Sequence, residues 1–154
     1  MRLFRSRIRP ERREVAPAWA DDAPSGGVRV LVEHPDPTVR DVAVRDLTAA
    51  GYDVLACAGP RPEGSGAVTC PLLHQQGCAA VAGADVIVNG LPLDQDASRL
   101  ILRRILRDRP DTPVIVETSG QTAERHAAGA MVRRLYPLRV PELLGALREV
   151  TGGR

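Results

Sequence analysis

The chain has 154 residues, a formal charge of +2 and 44% hydrophobic residues, proportions that suit one globular domain with a tail. No apolar run approaches the roughly 18 residues of a membrane span, and none follows the N-terminal arginines as a secretory signal requires, so a cytoplasmic location is expected. All 21 basic residues are arginine; the absence of lysine excludes a Schiff base and a P-loop phosphate grip, and so small a net charge argues for no nucleic-acid partner.

Residues 1–27 read as a disordered basic tail and linker. Arg2, Arg5, Arg7, Arg9, Arg12 and Arg13 crowd its first half, and Pro17, Pro24, Gly26 and Gly27 its second. No periodic apolar face is present there to offset the entropy of ordering. Trp19 is either a partner anchor or a solvated side chain. The ordered domain is expected over residues 28–151.

Val28 to Val32 is β-branched and apolar, as in a strand buried on both faces. Asp36, Pro37 and Thr38 punctuate the chain. Val39, Val42, Ala43, Leu47 and Ala50 then recur at helical spacing, and Gly51 stops the pattern. Asp53 to Cys57 is a second strand. Residues 58–83 break the rhythm with Gly, Pro and polar residues. Asp85 to Val88 is a third strand. Leu100, Ile101, Leu102, Ile105 and Leu106 mark a helix that ends before Pro110. Pro113 to Val116 is a fourth strand, Gln121 to Ala128 a short polar helix, and Met131 to Leu135 a weaker fifth strand. Pro141 opens a last helix through Leu143, Leu144, Leu147 and Val150. This alternation predicts a flavodoxin-like, doubly wound α/β domain with a five-stranded parallel sheet. In that architecture ligands gather at the carboxyl ends of the strands. His34, Pro35, Cys57, Asn89, Gly90, Thr118, Ser119 and Tyr136 are therefore the informative positions.

Three stretches in the right order carry a family resemblance. They are Val30 to Pro37, Asp111 to Ser119, and Leu135 to Leu138 leading into Pro141 to Leu144. The chain from residue 28 to 151 resembles a response-regulator receiver domain, which implies strand order 2-1-3-4-5. It also implies a phosphoacceptor aspartate, a carboxylate pair for Mg²⁺ and a lysine beside the phosphoryl group. Here the carboxylate pair falls on His34 and Pro35, with Asp36 the next acidic residue. The phosphoacceptor falls on Asn89 or Gly90, and the lysine on Tyr136. Thr118 alone keeps its type. An amide is a poor nucleophile, and imidazole suits Mg²⁺ poorly. The resemblance therefore implies a degenerate, pseudo-receiver pocket that is not phosphorylated and is partly plugged by the Tyr136 ring. Only 17 residues separate Thr118 from Tyr136, which shortens the fourth helix within the family's usual signalling face.

Cys57 ends the second strand, and Cys70 and Cys78 follow. If residues 71–78 are helical, Cys70, His74 and Cys78 share one face at i, i+4 and i+8. Three thiolates and an imidazole would complete a closed site for zinc or iron. A thiol switch and three buried structural cysteines are the alternatives.

Two functions follow. The first is a non-catalytic signalling module in the style of two-component signal transduction. With no output domain expected after the last helix, it would act through a protein partner or by self-association, with no membrane partner. The second is a metal or redox sensor built on Cys57, Cys70, Cys78 and His74. No cofactor is required by the first reading. No nucleophile–base pair is found for an enzyme, since unpaired hydroxyls in loops are ordinary turn residues.

Overall fold

The computed structural model describes residues 17–19, 26–60, 70–127, 129 and 131–152. Five strands alternate with helices: β1 (Arg29–Glu33), α1 (Pro37–Ala49), β2 (Asp53–Cys57), a 3₁₀ turn (Pro71–His74), α2 (Ala79–Ala82), β3 (Val86–Asn89), α3 (Asp96–Asp108), β4 (Val114–Glu117), α4 (Gly120–His126), β5 (Val132–Leu135) and α5 (Val140–Val150). The strands form one sheet in the order β2-β1-β3-β4-β5, and every neighbouring pair is parallel. The doubly wound fold and strand order expected from sequence are those observed.

Two apolar layers hold the sheet. Val30, Val32, Val86, Val88 and Ile115 face Ala43 and Leu47 of α1 and Leu143, Ala146 and Leu147 of α5. Leu31, Ile87, Val114 and Val116 face Ile101, Leu102 and Ile105 of α3, with Leu72, Ala80 and Val81 beside them. The alternation of side chains along each strand sends neighbours to opposite layers. The strands are apolar on both faces because both faces are covered. α1 starts where Asp36 Oδ1 accepts from the Thr38 N–H at 2.8 Å, a side-chain cap beside Pro37 in the first turn. It stops at Gly51, whose φ of +94° suits glycine.

The segment between β2 and β3 departs from one expectation. Residues 71–78 are not a continuous helix. The 3₁₀ turn ends at Gln75, which is left-handed at φ 58°, and Cys78 is extended before the single turn of α2. Helical spacing therefore does not align Cys70, His74 and Cys78. The short α2 is instead held by Arg109, at the end of α3. Its guanidinium donates to the carbonyls of Val81, Ala82 and Ala84, and its Nε donates to Thr112 Oγ1 at 3.1 Å.

Trp19 packs on the α3-side layer. The reading of residues 1–16 and 20–25 as disordered lies outside the described residues.

Arg109→Ala should lower stability by about 1.5–3 kcal/mol, because several carbonyls lose a charged donor at once. Urea unfolding followed by circular dichroism measures the change. An unchanged midpoint would contradict the tether.

Candidate functional site

Three adjacent strands end on polar side chains: Glu33 on β1, Asn89 on β3 and Glu117 on β4. The parallel register sets Cys57, Glu33 and Asn89 in one row across β2, β1 and β3. Glu33 shares the parity of Leu31, so it points into the α3-side layer. Asn89 Nδ2 donates to Glu33 Oε2 at 2.7 Å. Both side chains are buried, with Glu33 3% and Asn89 0% exposed. Burial pushes the Glu33 carboxyl up to about 7, against the opposing effect of the Asn89 hydrogen bond. Asn89 Oδ1 has no hydrogen-bond partner among the described residues.

His34 begins the loop after β1 and turns to the other side. Its Nδ1 accepts from the Asp36 N–H at 3.0 Å, which leaves the ring proton on Nε2. Nε2 lies 3.2 Å from Glu117 Oε2. The other oxygen, Glu117 Oε1, accepts from the Leu138 N–H at 2.9 Å. The imidazole rests on Gly90, where any Cβ would collide with His34 Cδ2. Gly90 N donates to the Glu33 carbonyl at 2.7 Å. Arg40 donates to the carbonyls of His34, at 2.6 Å, and Pro35, at 2.9 Å. The loop is thus fixed at both rims, and its own histidine fills the space at the strand ends.

Of the positions predicted from sequence, His34, Asn89, Gly90 and the half-buried Thr118 lie around these strand ends, with the Thr118 N–H bonded to the Leu135 carbonyl at 3.0 Å. Pro35 is exposed, and Asp36 is spent on the α1 cap. Tyr136 is a correction. It is 68% exposed and does not plug the pocket, because β5 ends inward on Leu135 and the next residue turns out. The ring in the pocket is that of His34. Glu33 and Glu117 were missed, and they restore acidic side chains to a site expected to lack them. The available signal was a lone carboxylate closing each of two apolar strands.

The fold implies Mg²⁺ at this end of the sheet, and the residues present do not fit it. Mg²⁺ needs free oxygen ligands in octahedral order. Glu33 is turned into the layer against Asn89, Glu117 is engaged by His34 and the Leu138 N–H, and Asp36 caps α1. The remaining group is an imidazole, a poor partner for a hard cation.

The cysteine set does not form the tetrahedral centre considered from sequence. Among the described residues, no group of three or more His, Cys, Asp or Glu could hold a metal ion. Cys57, Cys70 and Cys78 are free thiols packed on the α3-side layer, while His74 is exposed. Burial raises the Cys57 thiol, with the Gly59 N–H opposing and Glu33 adding repulsion. Burial likewise takes Cys70 up to about 11. Thiols held in the protonated form are poor nucleophiles. A concavity of about 790 Å³ lies at the opposite end of the sheet, by Val28, Tyr52, Asp85 and Arg148. It contains none of the predicted site residues.

The five parallel strands in the order 2-1-3-4-5, with helices on both faces, decide the architecture. The fold is that of a response-regulator receiver domain. The chain is similar to the chemotaxis response regulator CheY4 of Vibrio cholerae, at 21% identity and TM-score 0.57, over 81% of this chain and 99% of that one. It is similar to the response regulator TrrA of Thermotoga maritima, solved with Mg²⁺ and BeF, at 13% identity and TM-score 0.58, over 80% and 98%. A chain described as an adenylate cyclase from Rhodopirellula baltica matches at 15% identity and TM-score 0.59, over 82% and 89%. No protein-family model and no curated protein matches the sequence. At these identities the likeness is one of fold. No described helix is long and apolar enough to cross a membrane.

Glu33 should make stability depend on pH in a fixed direction. Its folded pKa is raised from 4.5 to about 7. The stabilisation is therefore complete below the unfolded value and is lost as pH rises through the folded one. The full swing has an upper bound of about 3 kcal/mol. Glu33→Gln should flatten stability curves between about pH 5 and pH 8 and gain on the wild type at the alkaline end. Parallel curves for the two proteins would show that Glu33 is not held neutral.

Proposed function

We propose that the chain is a degenerate receiver: a cytoplasmic, non-catalytic signalling module that is not phosphorylated at this pocket and acts by contact with a protein partner or a second copy. The observation that carries the reading is the His34 ring seated on Gly90, with Nε2 3.2 Å from Glu117 and Nδ1 held by the Asp36 N–H. A phosphoryl group entering there would meet a ring instead of a metal, and the Glu117 carboxylate instead of a lysine. Asn89, at the end of β3, is an amide and cannot form an acyl phosphate. The module would stay in one state and signal by its presence.

Contact as the mode of action is supported by the exposed Met131 and Tyr136, which flank β5. They lie on the side of the fold that receivers use for output. The three free thiols suit a reducing compartment.

Incubation with a small-molecule phosphodonor and Mg²⁺, followed by intact mass, tests the reading. No phosphoryl adduct is expected on the wild type, nor on Asn89→Asp alone, because His34 still covers the site and no lysine is supplied. A stoichiometric, acid-stable and base-labile adduct on the wild type would refute it. Robust labelling of Asn89→Asp would show that the covering ring is no barrier.

A further inference from the structure

Trp19 is the chain's one tryptophan, and it occupies a slot on the α3-side layer, at the amino ends of the strands. Its Nε1 donates to the Ala80 carbonyl at 2.9 Å. The Arg29 guanidinium lies over the ring, 5.5 Å from its centroid. Gly83 forms the floor, and any Cβ there would collide with Trp19 Cδ1 and Nε1. The slot exists because α2 is a single turn, which leaves the layer beside Ala80 and Val81 without a full helix over it.

We propose that this slot is a tryptophan-docking site, filled here by the chain's own Pro17–Trp19 segment, which works as a strap closing it. Each part of the slot answers to indole chemistry. The carbonyl requires an N–H donor, which phenylalanine lacks. The guanidinium attracts the π-face, which an aliphatic side chain lacks. The glycine admits a flat ring lying against backbone. The ring is held by one hydrogen bond, one cation–π contact and its own apolar area. Such an anchor can be released without breaking the sheet. The occupant that fits an emptied slot is an extended segment bearing one tryptophan, and the nearest source is the same segment of this chain. The slot lies at the end of the sheet away from His34, so the strap is independent of the pocket.

Intrinsic fluorescence of the full chain tests this, because Trp19 is the sole emitter of its kind. The wild type should emit to the blue of free tryptophan and resist acrylamide. Gly83→Ala removes no contact of the sheet, and φ at this residue is −89°, which alanine accepts. It should shift emission to the red and raise quenching, with circular dichroism unchanged. A peptide of residues 14–22 should then dock on the full-length Trp19→Ala chain, where all tryptophan emission comes from the peptide. Its emission should shift blue saturably, with a dissociation constant below the roughly millimolar effective concentration of a short tether. It should not shift with the wild type, whose slot is filled, or with the Trp19→Ala/Gly83→Ala chain. A wild type that emits like free tryptophan would overturn the proposal. So would a Gly83→Ala chain that loses secondary structure, since Trp19 would then be core, or a peptide that fails to bind Trp19→Ala or binds the double variant equally.

Discussion

A carboxyl buried without a cation must be neutral, hydrogen-bonded or both, and Glu33 places that constraint at the centre of the molecule. It sits in a row with Cys57 and Asn89, at the carboxyl ends of the edge strand β2 and its neighbours β1 and β3. No arginine among the described residues answers it, and the chain has no lysine. Its partner is the Asn89 amide at 2.7 Å. Burial of a charge is costly, so the carboxyl rises from 4.5 to about 7. The same burial, reinforced by the carboxylate, keeps the nearby Cys57 and Cys70 thiols protonated. One constraint thus accounts for the amide where an aspartate would be expected. A second carboxylate on β3 would place two like charges in a buried row.

The neighbouring space is closed by a different device. His34 faces the opposite way from Glu33, and its two ring nitrogens are both engaged, one by a backbone N–H and the other facing Glu117. Glycine at position 90 is required for the ring to lie down. The strand ends are therefore occupied by the chain's own side chains, which accept and donate among themselves. Receiver architecture supplies the frame, and His34, Asn89, Glu33 and Glu117 are the side chains fitted to its strand ends.

The fold was legible because its strands are short β-branched runs and its helices carry apolar stripes. Val30–Val32, Val86–Val88 and Val114–Val116 could be read with little else. The strand ends were not. β1, β3 and β4 each run one residue past the apolar run, onto Glu33, Asn89 and Glu117. A polar residue there keeps its ladder bonds while its side chain leaves the sheet edge, so hydrophobic patterning stops one residue early. That single residue moved the acidic groups from view and gave the pocket's ring to Tyr136 instead of His34. The cysteine segment failed for another reason. Spacing of i and i+4 has meaning only on a continuous helix, and the chain turns left-handed at Gln75. Trp19 was illegible because a single aromatic in a polar stretch shows no period, and its partners, Ala80, Gly83 and Arg29, are distant in sequence.

The central claim is that His34 is a fixed ring closing the pocket, with its proton on Nε2 and Nδ1 held as an acceptor. Long-range ¹H–¹⁵N correlation spectra of the histidine side chains, with His34→Gln for assignment, read this directly. The account predicts a single Nε2–H tautomer for His34 at neutral pH, unchanged by Mg²⁺ and a phosphate analogue. A His34 ring that exchanges between tautomers, carries its proton on Nδ1, or shifts on adding the metal and analogue would contradict it.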